Sequence, residues 1–113
     1  MNPRRWLVAA LCLALTAAAG LADARSARSC RNWTEERRLA ESQKEMNRVP
    51  VLISKAWFLG YLAGHSAAGQ RDPAAGIDDE SIFLWLDGYC RDHTEADLAS
   101  AGSALEKELA ARR

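Results

Sequence analysis

Histidine, proline and any surplus of one charge are scarce in this chain. There are 2 His, 3 Pro and 15 basic against 15 acidic residues. Two histidines leave little material for imidazole chemistry, and so few prolines permit long helices. The charge balance provides no footprint for nucleic acid, which needs several clustered cations. No run alternates apolar and polar residues between turn signals, so strands are not expected. Internal repeats are absent, and no pattern for a bound cofactor is seen.

What is present begins with an export signal. Arg4 and Arg5 precede an uncharged apolar run over residues 6–21, and Ala22-Asp23-Ala24 supplies a small-x-small cleavage pattern. Processing after Ala24 is expected, by the general secretory route, giving a periplasmic or secreted product. The competing reading is a retained anchor, because the run approaches the lower limit for a spanning helix; its shortness, its alanine content and the cleavage pattern favour removal. Cys12 lies too early for a lipid-modified mature N-terminus. Removing Arg4, Arg5 and Asp23 with the signal turns 15 against 15 into 13 basic against 14 acidic, and 113 residues less 24 leaves 89. That size excludes most enzyme folds. No later segment spans a bilayer: the best, residues 56–64, is bounded by Lys55 and His65.

Export bears on the two remaining cysteines. In an oxidising compartment, Cys30 and Cys90 in a small domain are expected to form a disulfide, stabilising the fold by roughly 4 kcal/mol in the chain-entropy model. The rival, a metal site from Cys30, Cys90 and His93, supplies three ligands where structural zinc takes four.

Residues 25–29 read as a flexible lead-in to one helical domain over residues 30–113. Residues 30–47 are rich in Glu, Arg, Lys, Gln and Ala, with Arg38/Glu41, Glu41/Lys44 and Glu45/Arg48 at helical spacing. This predicts a first helix with a thin apolar face of Trp33, Leu39, Ala40 and Met46. Pro50 suits the first turn of a second helix, apolar on nearly all sides and therefore expected at the centre of the domain. Gly60 and Gly64, in line with Ala56 and Ala68, form a strip where another helix backbone can approach. A loop at residues 69–76 follows. Asp78 reads as an N-cap, with Asp79 and Glu80 against the positive end of the helix dipole. The third helix has one face of Ile82, Trp85, Leu86 and Tyr89, widened by Phe83 and Leu84. Thr94 with Asp97 suggests a cap for a fourth, whose stripe is Leu98, Ala101, Leu105 and Leu109, closed by Arg112 and Arg113. The fold class is thus all-α: one small domain of about four helices stapled by Cys30 and Cys90. A first helix of residues 30–47 would be about 27 Å long, whereas bonded cysteines have Cα atoms about 6 Å apart. An up-down-up arrangement is therefore excluded, and either the long connection crosses over or the first helix packs obliquely.

Chemistry is hard to find. Ser66 follows His65, but adjacent helical residues point about 100° apart, and no strand leads into a nucleophile elbow. Asp78, Asp79 and Glu80 lack calcium-loop spacing. His93 is read either as a sensor of mildly acidic pH or as a solvated residue closing its helix. An enzyme is not expected. Aromatic residues remain: Trp33, Trp57, Phe58, Trp85 and Tyr89 are the candidates for lining a partner groove, with simple core packing as the equal alternative.

Cys-x-x-Trp at 30–33, Ala-Trp-Phe-Leu-Gly-Tyr-Leu-Ala-Gly at 56–64 and Asp-Glu-Ser-Ile-Phe-Leu-Trp-Leu-Asp-Gly-Tyr-Cys-Arg at 79–91 resemble a set of small exported bacterial helical proteins. The organisation is also similar to the HdeA/HdeB acid-stress chaperones, with Cys30 and Cys90 as the matching positions. That resemblance implies a periplasmic protein that loosens at low pH and holds unfolding clients. A second resemblance, to the Tai-type immunity proteins of amidase toxins, implies instead a plug for the active site of a secreted cell-wall-degrading enzyme. Both make the partner a protein. They differ in that the first needs carboxylates whose protonation loosens the fold, the second a rigid surface for one tight partner.

Overall fold

The computed structural model describes residues 28–67 and 71–112, with backbone alone for 65–67. The predicted signal therefore lies outside the described residues. Four α-helices are found among those described: α1 (Cys30–Ala40), α2 (Val49–Ala67), α3 (Asp79–Asp92) and α4 (Leu98–Ala111), with a 3₁₀ turn at Glu45–Arg48 before α2. The all-α expectation holds, as does the staple: Cys30 and Cys90 are disulfide-bonded, with Cα atoms 4.8 Å apart.

Helix boundaries follow local chemistry. The Ser29 hydroxyl accepts the Asn32 N–H and starts α1, and the Asp78 carboxylate accepts the Ser81 N–H at 2.9 Å and starts α3, as its sequence suggested. For α4 the cap is Asp97 rather than Thr94: its carboxylate accepts the Ser100 N–H at 2.7 Å, and the helix begins at Leu98. Pro50 lies in the first turn of α2. Gly76 takes φ +81°, which turns the chain into the approach to α3. The first helix is shorter than expected. It stops at Ala40, where the Glu41 and Ser42 N–H groups bond back to Arg38 and Leu39 carbonyls and the Asn47 amide donates to the Ser42 hydroxyl. Beyond Ala40 the segment has no core residue to hold a longer helix in place, and Met46 is 79% exposed.

α1 and α3 run antiparallel. Cys30 meets Cys90, Trp33 meets Asp87, and Arg37 reaches Asp87 and then Glu80, so partners recede along α3 as α1 advances. This is how the fold satisfies the disulfide without an up-down-up arrangement. The core comprises Cys30 and Trp33 of α1, Val51, Phe58 and Leu62 of α2, Ile82, Phe83, Leu86 and Cys90 of α3, and Leu98, Ala101 and Leu105 of α4. Leu84, expected to widen the α3 face, points outward instead.

The start of the described chain is tied down. The Leu98 N–H donates to the Arg28 carbonyl at 2.7 Å and the Cys30 N–H to the Ala96 carbonyl at 2.8 Å, pairing Ser29 with Asp97. Arg28 also donates to Glu36 at 2.5 Å. The flexible lead-in expected at residues 25–29 thus does not extend to Arg28 and Ser29, because both are held by partners from α1 and the start of α4.

Candidate functional site

The second helix is where the structure departs most from its sequence reading. It is not enclosed. Val51, Ser54, Phe58 and Leu62, at i, i+3, i+7 and i+11, face the core and are buried. On the opposite side Val49, Leu52, Ile53, Ala56, Gly60, Ala63 and Gly64 form a second apolar stripe open to solvent, continued at its N-terminal end by Met46. Leu52 is 58% and Ile53 51% exposed. Cβ atoms built on Gly60 and Gly64 would meet no described atom within 4 Å, so the strip expected to receive a neighbouring helix receives none from the described residues. Covering a Val, Leu or Ile side chain completely gains roughly 1.5–3 kcal/mol, so each half-open residue here offers on the order of 1 kcal/mol to whatever covers it.

Lys55, the one charged side chain among the described side chains of α2, is turned away from this stripe. Its ammonium lies 3.7 Å from the Glu80 carboxylate and 4.7 Å from the centre of the Phe83 ring. Ser54 donates its hydroxyl to the buried Glu36 carboxylate, which also takes the Arg28 guanidinium. A hydroxyl beside a carboxylate superficially suggests catalysis, but Ser54 is fully enclosed and no substrate can reach it. The side chains of His65 and Ser66 lie outside the description.

The aromatic candidates divide. Trp33 and Phe58 have no exposed surface and line no groove. The Trp33 indole N–H donates to Asp87 Oδ1 at 2.8 Å, and Arg37 grips the same carboxylate through Nε and a terminal nitrogen at 3.0 and 2.7 Å while lying 5.5 Å from the Trp33 ring centre. The Asp87 carboxylate accordingly raises Arg37 above its ordinary basicity. Trp57, Trp85 and Tyr89 are half-buried and available in part. Trp57 lies at the edge of the open stripe, stacked on Tyr61 at 5.7 Å. Trp85 stacks on Tyr89 at 5.3 Å and donates its indole N–H to Glu108; Tyr89 stacks in turn on His93 at 4.2 Å. Tyr61 and Tyr89, with Ser100, Ser103 and Lys107, flank an open cleft of about 520 Å³. A larger cleft of about 620 Å³ between α1 and α3 is rimmed by Arg37, Arg38 and Arg91, but Arg37 is neutralised by Asp87 and Arg38 by Glu35.

Sequence reasoning missed Met46, Val49, Leu52 and Ile53. The signal was the near-unbroken apolar run of α2, read as one buried surface rather than as two stripes on opposite sides. Among the described residues no cluster of His, Cys, Asp and Glu suits a metal, and no helix is long and apolar enough to cross a membrane. No protein-family model, curated protein or solved structure matches the chain.

Proposed function

We propose that this is a small exported, non-enzymatic binding protein of the periplasm that holds apolar segments of other proteins, in the manner of an acid-stress chaperone. The observation that carries this reading is the outer stripe of α2. A domain with a disulfide and a packed core has no stability reason to leave Leu52 and Ile53 half exposed beside an open glycine strip, and continuous apolar surface of this kind marks protein contacts. The stripe bears no charge of its own, which suits unfolded segments recognised by their apolar side chains rather than by sequence.

The test follows light scattering from an acid-sensitive client shifted from pH ~7 to about 2.5, with and without the disulfide-bonded protein, while near-UV circular dichroism reports its Trp packing. Suppressed aggregation is expected, and a Leu52→Asp/Ile53→Asp double variant should lose it while keeping the thermal transition. An intact protein that protects no client, or a double variant that protects as well as its parent, overturns the reading. Tight retention on one secreted cell-wall-degrading enzyme would replace it with the immunity reading.

A further inference from the structure

We infer that the outer stripe of α2 is made to fit a second copy of this chain, in a reversible antiparallel pair. The inference rests on reading the stripe as a protein contact and commits it to one occupant.

The argument comes from the stripe's shape. Its N-terminal half is bulky, with Met46, Val49, Leu52 and Ile53; its C-terminal half is small, with Ala56, Gly60, Ala63 and Gly64. A second α2 related by a two-fold axis beside Ala56 and Trp57 brings Val49 over Gly64 of the other copy, and Leu52 and Ile53 over Gly60 and Ala63. Each bulky end then fills the other's small end, as a self-complementary two-fold interface requires. Parallel pairing would set bulky against bulky and leave a gap beyond it. Because no described atom lies within 4 Å of a Cβ built on Gly60 or Gly64, the two backbones can approach closely.

Charge agrees. Lys55 is committed to Glu80 and Phe83 of its own chain, so the two lysines of a pair are not set against each other across the stripe. Area sets the strength. Residues 49–64 span about 24 Å at the helical rise, and one stripe of that length covers only a few hundred Å² per copy. Stable complexes bury about 800 Å² per partner. The pair is therefore weak and reversible.

Sedimentation of the disulfide-bonded protein, purified as cells deliver it, tests this between about 5 µM and 1 mM. The average mass should rise from one chain towards two and stop there. Gly60→Gln should raise the dissociation constant more than about tenfold, yet leave the melting temperature of the dilute protein unchanged or higher, because it replaces an open helical glycine with a helix former. Ala56→Cys should cross-link to itself, whereas Val49→Cys should cross-link only when mixed with Gly64→Cys. A single chain at every concentration, association that continues past two, indifference to Gly60→Gln, or self-linking of Val49→Cys overturns the pairing. If the chain stays single and the Leu52→Asp/Ile53→Asp variant still loses client protection, the pairing fails and the binding function stands. If pairs form and no client is protected, the reverse holds.

Discussion

The seam between α1 and α3 and the outer stripe of α2 are made from similar materials to opposite ends. In the seam Trp33 is fully enclosed, its indole N–H and the Arg37 guanidinium converge on Asp87, and the Cys30–Cys90 bond closes one end. On the stripe, Leu52 and Ile53 stand half in water and no described atom crowds Gly60 or Gly64. One region takes its stability from within the chain; the other leaves apolar surface open to solvent. The two lie on neighbouring helices of one domain, so the contrast is between helix faces.

Removing the Cys30–Cys90 bond should break this contrast most severely. The bond spans a sequence separation of 60, and its loss should cost about 4 kcal/mol, read as a fall in the urea midpoint for a Cys30→Ser/Cys90→Ser variant. A loss under about 1 kcal/mol would mean that the seam's polar contacts, rather than the covalent bond, hold it. Two glycines sharpen the comparison at smaller scale. At Gly102 an added Cβ would lie 2.5 Å from Tyr61 Cε1, and that ring is held by Trp57 and by the Ser103 hydroxyl. Gly102→Ala should therefore destabilise by about 1–3 kcal/mol, whereas Gly60→Ala should stabilise by up to about 1 kcal/mol. Thermal melts of the two alanine variants decide this, and equal shifts would show that the stripe is not open in solution.

Loss of a single carboxylate cap in acid should produce the smallest effect. The Ser81 backbone N–H, then its hydroxyl, hold the Asp78 carboxyl below the ordinary range, and hydrogen bonding from Arg38 does the same for Glu35. A carboxyl lowered in the folded state gives stability that is fully present above its unfolded value and is lost as pH falls through the folded one. The start of α3 should consequently weaken only below about pH 4. Asp78→Asn should flatten that part of the stability profile, and an unchanged slope would remove this cap from the acid response.

Much of the fold could be read from residue order because the informative residues act locally. Asp78 caps the helix that its neighbours suggested, Pro50 sits in a first turn, and Ile82 and Leu86 face inward at helical spacing. The cysteine pair followed from count and expected compartment. The end of α1 was not legible, since Glu41, Ser42 and Gln43 carry no breaker; a Ser42–Asn47 side-chain bond and the lack of anything to bury stop the helix. Nor was the exposure of Leu52 and Ile53, because an apolar helix announces two faces without saying how many neighbours will cover them. Three other helices bury its inner face only. For the same reason Trp33 and Phe58, paired in the sequence reading with Trp57, Trp85 and Tyr89, turned out to belong to the core, while the latter three keep partial access.

The backbone clip between Arg28 and Leu98 carries a consequence for the order of assembly. Among the described helices the one made first is fastened last at its start: Ser29 pairs with Asp97 and Cys30 with Cys90, so the start of α1 is not anchored until nearly the whole chain has been made. Contacts so distant along the chain slow the search for the native arrangement. Until Cys90 has followed it, Cys30 has no disulfide partner within the domain.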